Sequence, residues 1–228
     1  MTKDARPTED FLKSEHPGAW DEFVNVHRWQ RSDFDGRQVL DLGGHVGFVS
    51  LLALAWGADR AVSVEPAPSN FSRLRSNLLP YPRAVPVNCA CGRPGRVLLV
   101  DSDSNSKTTH ADDDRGATTS RTLRELSSLL DPGGDATLKV DVEGAEAEVL
   151  LWSDVATLRR FSTIMLETHQ TPHLPPHEAR RAQFLLDYVG FMGFAETNRE
   201  PLCWWTADGK VEQVSDMVAV RLARSGRP

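Results

Sequence analysis

The stretch VLDLGGHVGFVSLLALAWGADRAVSVEP, Val39 to Pro66, decides the fold. Val39 to Leu42 is a short apolar run closed by glycines, Phe48 to Trp56 has helical spacing, and a second strand ends at Glu65. Strand, turn, helix, strand is the order that opens a doubly wound α/β sheet. Without a Cβ, Gly43 and Gly44 let the backbone curl tightly and approach a ligand, and Gly47 lets the next helix sit close to the strand. The N–H groups of that helix's first turn lack intrahelical partners, which suits a carboxylate or a phosphate. Glu65 leaves the neighbouring strand at the height of a ribose, where a carboxylate can accept from both sugar hydroxyls. An adenosine-bearing ligand is implied.

Spacing narrows the choice of ligand. A nicotinamide site would show Gly-x-Gly-x-x-Gly, whereas here Gly43 and Gly44 are adjacent, Gly47 follows, and His45 stands where the second glycine belongs. Asp41, immediately ahead of the turn, would repel a pyrophosphate and attract an ammonium or a sulfonium. S-adenosylmethionine carries both cations, and its carboxylate can use the helix N-terminus. The expected cofactor is therefore S-adenosylmethionine, bound along Asp41, Gly43, Gly44, His45 and Gly47 and at Glu65, with a dinucleotide enzyme as the alternative.

A second constellation is LKVDVEGAEAEVL, Leu138 to Leu150, with IMLETH, Ile164 to His169. Lys139 lies inside an apolar strand, and a buried ammonium needs a partner, for which Glu167 on the next strand is the expected candidate. Asp141 and Glu143 emerge at the carboxyl end of the fourth strand, the edge where open α/β sheets bind ligands. Gly144 permits the sharp turn into the following helix.

The alternation continues through a helix from Ser69 to Leu79, a third strand from Ala84 to Ala90, and extended pieces at Gly95 to Val100 and Ala117 to Ser120. The last two flank the polar segment DSDSNSKTTHADDDRG, which lacks apolar periodicity. Arg121 to Leu130 reads as a helix, Ala136 to Val142 as the fourth strand, Ala145 to Trp152 as a helix and Phe161 to Thr168 as the fifth strand. A helix from Pro175 and Pro176 to Val189 precedes strands at Phe191 to Glu196, Leu202 to Thr206 and Met217 to Leu222, the last two paired antiparallel. No linker or repeat interrupts this, so the chain reads as one domain over residues 1–228, with 1–36 as an N-terminal helical extension.

Composition excludes several classes. A formal charge of −6, from 26 basic and 32 acidic residues, offers no broad basic footprint for nucleic acid. No apolar run approaches the length needed to cross a bilayer, and MTKDARPTEDF lacks a signal-peptide core, so the cytoplasm is the expected compartment and no membrane partner is expected. Cys89, Cys91 and Cys203 form neither a disulfide framework nor a zinc knuckle and read as buried thiols.

The set DLGGHVG, VEP, LKVDVEGAE and LETH, in this order and spacing, resembles the FkbM family of S-adenosylmethionine-dependent methyltransferases over about Val39 to His169. The resemblance implies the class I methyltransferase fold, a Rossmann-like seven-stranded sheet that is parallel except for an antiparallel final strand. It also implies O-methylation of a small molecule, often a sugar or a natural-product hydroxyl of secondary metabolism. By the same resemblance Asp41, Gly43 and Gly47 belong to the methionine-side turn and Glu65 to the ribose. Relatives commonly carry Ala-Asn where this chain has Gly44-His45, a departure that removes the Asn side chain.

Methyl transfer is an in-line displacement, and a hydroxyl acceptor needs a base within hydrogen-bond reach. His169, after the fifth strand, is the first candidate because imidazole titrates near working pH. Asp141 and Glu143 are second-rank bases, with the roles of holding the methionine amine and capping the helix after Gly144 as their electrostatic alternatives. A carboxyl or amine acceptor is the alternative to a hydroxyl. No metal ligand set is expected: prolines interrupt the spacing of His169, His173 and His177, and Asp112, Asp113 and Asp114 read as a solvated run. The expected partner is a small-molecule acceptor, and a homodimer is compatible with the sequence.

Overall fold

The computed structural model describes residues 5–102, 105–110, 118–169, 181–205 and 211–224. Helix α1 (Glu9–Glu15) starts at Thr8, whose side chain accepts from the Phe11 N–H, with Glu9 and Asp10 in the first turn where the helix dipole favours acids. Helix α2 (Pro17–Trp20) runs directly into a π-helical segment, Asp21–Val26. A 3₁₀ turn at Arg31–Asp33 leads into β1 (Gln38–Leu42), and α3 (Phe48–Ala55), β2 (Arg60–Val64), α4 (Pro68–Leu78) and β3 (Ala84–Val87) follow. Next come β4 (Ala90–Cys91), β5 (Gly95–Ser102), β6 (Asn105–His110), β7 (Thr118–Arg121) and α5 (Leu123–Ser127). The chain continues through β8 (Ala136–Val140), α6 (Glu146–Leu151), α7 (Val155–Leu158), β9 (Phe161–Glu167), α8 (Arg181–Phe191), β10 (Phe194–Trp205) and β11 (Val211–Arg224).

Seven strands form the central sheet in the order β10-β11-β9-β8-β1-β2-β3, parallel from β9 to β3, with β11 antiparallel to both β9 and β10. This is the expected doubly wound α/β architecture. The strand order reverses at β1, so the crevice beyond the carboxyl ends of β1 and β8 is where such a sheet holds ligands. Period-two alternation divides the core between the two faces. Leu40, Leu42, Val62, Val64, Leu138 and Val140 pack with Leu126, Val149, Leu150 and Val189 on one side. Val39 and Ala61 join Leu12, Phe34, Phe48, Leu52 and Leu74 on the other. The N-terminal segment is tied to the far side of the sheet, where the Arg221 guanidinium of β11 donates to the fully buried Asp33 carboxylate.

Two features depart from the sequence reading. The polar stretch after Val100 contains a strand: β5 and β6 pair antiparallel within a second sheet ordered β4-β7-β5-β6. A ladder of backbone hydrogen bonds does not require apolar periodicity, so the pattern could not reveal β6. The two strands expected between Phe191 and Thr206 are one, β10, with register shifts between Glu196 and Asn198 and between Pro201 and Cys203. Pro201 is tolerated because β10 is an edge strand with a bulge there. The first part of the helix expected from Pro175 lies outside the described residues.

The glycine turn is shaped by its own protein surroundings. Gly43 has φ +80°, and a Cβ there would sit 1.7 Å from the Asp141 carbonyl oxygen, while one on Gly44 would meet Ser63 Oγ at 2.1 Å and Leu74 at 2.7 Å. The close approach predicted for these glycines is thus to β8, β2 and α4 before any ligand. Gly43→Ala combines a left-handed backbone with a clash against main chain, and is expected to cost about 3 kcal/mol. Urea unfolding checks it, and a loss below about 0.5 kcal/mol would contradict this placement of the turn.

Candidate functional site

Register places Ser63, Asp41 and Lys139 side by side on three neighbouring strands, all on the same face. Asp41 is fully buried; its Oδ2 accepts from Ser63 Oγ and from Ser50 Oγ of α3, both at 2.9 Å, and its Oδ1 lies 3.5 Å from Lys139 Nζ. The Lys139 ammonium also lies 3.0 Å from Asp141 Oδ2 and donates to the Gly43 carbonyl at 2.6 Å. Burial alone would lower the Lys139 pKa, but Asp141 and Asp41 outweigh it and hold it above its ordinary value. Two expectations are corrected here. Asp41 does not line the cavity: it is spent on serines and Lys139 beneath the turn. Lys139 is neutralised by Asp41 and Asp141 rather than by a direct pair with Glu167, because strand register puts these two carboxylates nearest its nitrogen.

Above this rung lies a cavity of about 530 Å³ whose walls include Gly43, Gly44, His45, Glu65, Asp141, Glu143 and His169, all expected at the site, together with Glu167, expected only as a structural partner of Lys139. That volume falls in the range of small-molecule and cofactor sites. At one end, Glu65 is 5% exposed; its Oε2 accepts from the His45 N–H at 2.9 Å and its Oε1 from the Ala67 N–H at 2.8 Å. Burial raises its pKa while these two N–H groups pull it down. Each oxygen keeps a lone pair for a ligand hydroxyl. The Gly43 and Gly44 N–H groups both donate to the Val64 carbonyl, so they fix the turn to β2 instead of pointing at a ligand. Gly47 has φ +96° and supplies the left-handed residue that starts α3. His45 adopts φ +47°, a conformation that Asn and His tolerate better than most side chains, which fits an Asn being common there in relatives.

The other end is built by the loop after β8 and the end of β9. Glu143 (φ +56°) and Gly144 (φ +103°) turn the chain sharply. Glu146 Oε1 accepts from the Gly144 N–H at 3.0 Å and the Val142 N–H at 3.3 Å, so Glu146, rather than Asp141 or Glu143, caps this turn. The same oxygen lies 2.9 Å from His169 Nδ1. His169 Nε2 faces Glu167 at 3.3 Å, Glu143 at 3.5 Å and Asp141 at 3.7 Å. Burial lowers the imidazole pKa, but hydrogen bonds to Glu146 and Glu167 and the field of Asp141 overcome it and push it up to about 11. His169 is therefore an imidazolium at neutral pH and has no lone pair with which to act as a base. The expectation that it titrates near working pH fails because four carboxylates converge on it.

Two residues without any sequence signal complete this end. Glu22, in the π-helical segment, opens onto the cavity; loss of surrounding water and then the charges of Glu167 and Asp141 push its carboxyl up to about 7. His27 is 3% exposed, neither ring nitrogen has a hydrogen-bond partner, and burial lowers its pKa to about 4. The donor atoms of Glu22, His27 and Glu167 lie within 4.8 Å of one another. A spacing of five does not share a face of an α-helix, but here the His27 N–H bonds to the Glu22 carbonyl in a π turn. Glu143 is also raised, to about 6, by burial with the neighbouring carboxylates opposing His169.

Other candidates fall elsewhere. Cys89 and Cys91 are free buried thiols, as expected, with the Cys89 pKa pushed up to about 11 by burial. Asp112 to Asp114, His173 and His177 lie outside the described residues. Among the described residues no helix is long and apolar enough to cross a membrane.

A family model described as the methyltransferase FkbM domain matches residues 41–194, more than half of the chain. No curated protein matches it. Among solved structures, a Listeria monocytogenes protein assigned as an S-adenosylmethionine-dependent methyltransferase is similar at a TM-score of 0.51 and 9% identity, with 92% of this chain and 100% of that one covered. Fibrillarin from Aeropyrum pernix with bound S-adenosyl-L-methionine is similar at 0.49 and 13%, over 83% of this chain and 67% of that one. A precorrin-6y C5,15-methyltransferase from Geobacter metallireducens gives 0.48 and 14%, over 88% and 87%. At these identities the first of the three supports the fold, and the other two carry no further weight.

Imidazole NMR titration in metal-free buffer tests the electrostatics. His169 is expected to stay protonated from pH 6 to 9, and His27 to stay neutral down to about pH 5. By linkage, His169 stabilises the fold fully below its unfolded pKa near 6.5 and loses that contribution as pH rises toward 11. A His169 midpoint near 6.5 would contradict the carboxylate cage.

Proposed function

The chain belongs to the FkbM methyltransferase family, and from that premise we propose that it moves a methyl group from S-adenosylmethionine to a hydroxyl of a small molecule such as a sugar or a natural product. The single observation that carries this reading is the two-ended cavity: a carboxylate held by two backbone N–H groups at one end and a ring of acids around His169 at the other.

The residues present fit the cofactor. Glu65 is pre-oriented by His45 and Ala67 with lone pairs left for both ribose hydroxyls, and Val64 and Pro66 give an apolar wall beside it. Gly43 to Val46 border the same space and would carry the methionine portion, with Asp41 and Lys139 fixing the turn from below, while Gly47, expected at the cofactor, lies off the cavity wall and faces Leu74 and Leu78 of α4. When bound, S-adenosylmethionine supplies a methyl group already activated on a sulfonium, so the protein's work is alignment and removal of one proton.

Glu143 takes that proton. Asp141 is committed to Lys139, Glu146 to His169 and two backbone N–H groups, and Glu65 to its own pair. Among the described residues Glu143 has no hydrogen bond or ion pair closer than His169 Nε2 at 3.5 Å, and its left-handed backbone presents it at the cavity wall. Local strain of this kind is maintained where the surroundings enforce it. The imidazolium of His169 then balances charge among the acids. A carboxylate acceptor would be repelled by Glu22, Glu143 and Glu167, which disfavours carboxyl methylation. An amine acceptor fits the same field and is the second reading.

A split between binding and turnover tests these roles. Labelled methyl donor and a panel of hydroxyl, amine and carboxyl acceptors identify the methylated atom by mass spectrometry. Glu65→Gln turns an amide NH₂ toward one of two backbone donors and should weaken S-adenosylmethionine binding about 10- to 100-fold by calorimetry. Glu143→Gln should leave that affinity within about threefold while lowering kcat about 100-fold or more. Label on a carboxyl oxygen, or a fully active Glu143→Gln protein, contradicts the proposal.

A further inference from the structure

Around the acceptor end the protein gathers more negative charge than it neutralises. Glu22, Asp141, Glu143, Glu146 and Glu167 converge there against Lys139 and the His169 ring. Within this set, the donor atoms of Asp141, Glu167 and His169 lie within 4.8 Å of one another, and those of Glu22, His27 and Glu167 form a second group sharing Glu167.

The His169 ring has the arrangement of a metal ligand. Its Nδ1 is bonded to Glu146, which fixes ring orientation and leaves Nε2 turned toward Asp141, Glu143 and Glu167. Nε2 bonds to Glu167 at 3.3 Å and faces Glu143 and Asp141 at 3.5 and 3.7 Å, so three carboxylates converge on this one nitrogen. A carboxylate bound to one imidazole nitrogen while the other faces an acidic ligand set is the outer-shell pattern of metal sites. Independently, His27 is only 3% exposed, and among the described residues neither of its nitrogens has a hydrogen-bond partner. Leaving such a group unsatisfied is costly. His27, Asp141 and Glu167 also border a small separate cavity of about 10 Å³, room for about one water; Lys139 lines it and His169 does not, so it lies beside the cation position and not at it.

We propose that Asp141, Glu167 and His169 hold one divalent cation of the Mg²⁺ and Mn²⁺ class at the acceptor end, with His27 and Glu22 completing its surroundings through metal-bound water. The donor chemistry selects the class. Carboxylates and water with a single direct imidazole suit hard cations, and the thiols of Cys89 and Cys91 stand apart from the set on another part of the wall. A hydroxyl that coordinates the cation is fixed in position and made more acidic, which brings its proton within the capacity of Glu143. This inference rests on the hydroxyl-acceptor reading for its role, while the site itself stands on side chains of this chain.

The test uses the full-length protein stripped with EDTA and titrated with Mn²⁺ under electron paramagnetic resonance. One equivalent is expected to bind saturably, with selective broadening of the His169 and His27 imidazole signals in parallel NMR spectra. Competition by Mg²⁺ is expected. Glu167→Gln should weaken binding tenfold or more and Glu146→Gln also tenfold or more, with folding checked by circular dichroism. Absence of saturable Mn²⁺ binding to the unsubstituted protein, or broadening confined to other histidines, overturns the site whether or not the variants fold. Calorimetry of S-adenosylmethionine on the same stripped protein separates the two readings: retained nucleoside binding without metal binding sinks only the cation.

Discussion

A buried ammonium organises this protein. Lys139 sits in the middle of the sheet, between Asp41 on one neighbouring strand and Asp141 at the end of its own, and donates to the carbonyl of Gly43. Each carboxylate alone would be costly to bury, and so would the ammonium; together they compensate one another, with two serine hydroxyls on Asp41 Oδ2 and the Lys139 charge 3.5 Å from Oδ1. Its geometric consequence is large. One nitrogen fixes the glycine turn after β1 against the loop after β8, and these are the two segments between which the cavity opens. The Cβ-free contact of Gly43 with the Asp141 carbonyl is the steric counterpart of the same tie.

From this anchor the two ends of the cavity acquire different chemistry. The Glu65 end is held by main chain: N–H groups from His45 and Ala67 preset a carboxylate whose remaining lone pairs suit neutral hydroxyl donors. The His169 end is governed by charge, with acids from the β8 loop, the end of β9 and the N-terminal π-helical segment placed within a few ångströms. The N-terminal segment is thus part of the site, and Asp33 with Arg221 fastens it to the sheet.

How much of this was legible in the sequence follows from how local each signal is. The glycine turn, Glu65 and the Asp141-to-Gly144 bend are read from short runs whose geometry is set by neighbouring residues, and the structure places them together on one cavity. The partner of Lys139 was misassigned because it depends on strand register: Asp41 and Lys139 stand opposite each other in a pairing that no spacing encodes. Position and charge state came apart at His169. Its place after β9 is readable, but its protonation depends on acids from separate segments, among them Glu146 in the first turn of α6, a position that by itself carries no signal. Glu22 and His27 carried no motif; a π turn, which apolar periodicity does not predict, brings them to Glu167. The β5–β6 hairpin was hidden because polar strands paired through their backbones have no apolar face to announce them.

The central claim is that the Lys139 ammonium holds the turn and the acidic loop in one frame. Equilibrium urea unfolding of Lys139→Met, which keeps side-chain length and removes the charge, tests it most directly. Two buried carboxylates left without their cation predict a loss of about 3–5 kcal/mol. A variant whose stability stays within about 1 kcal/mol of the unsubstituted protein would contradict the account.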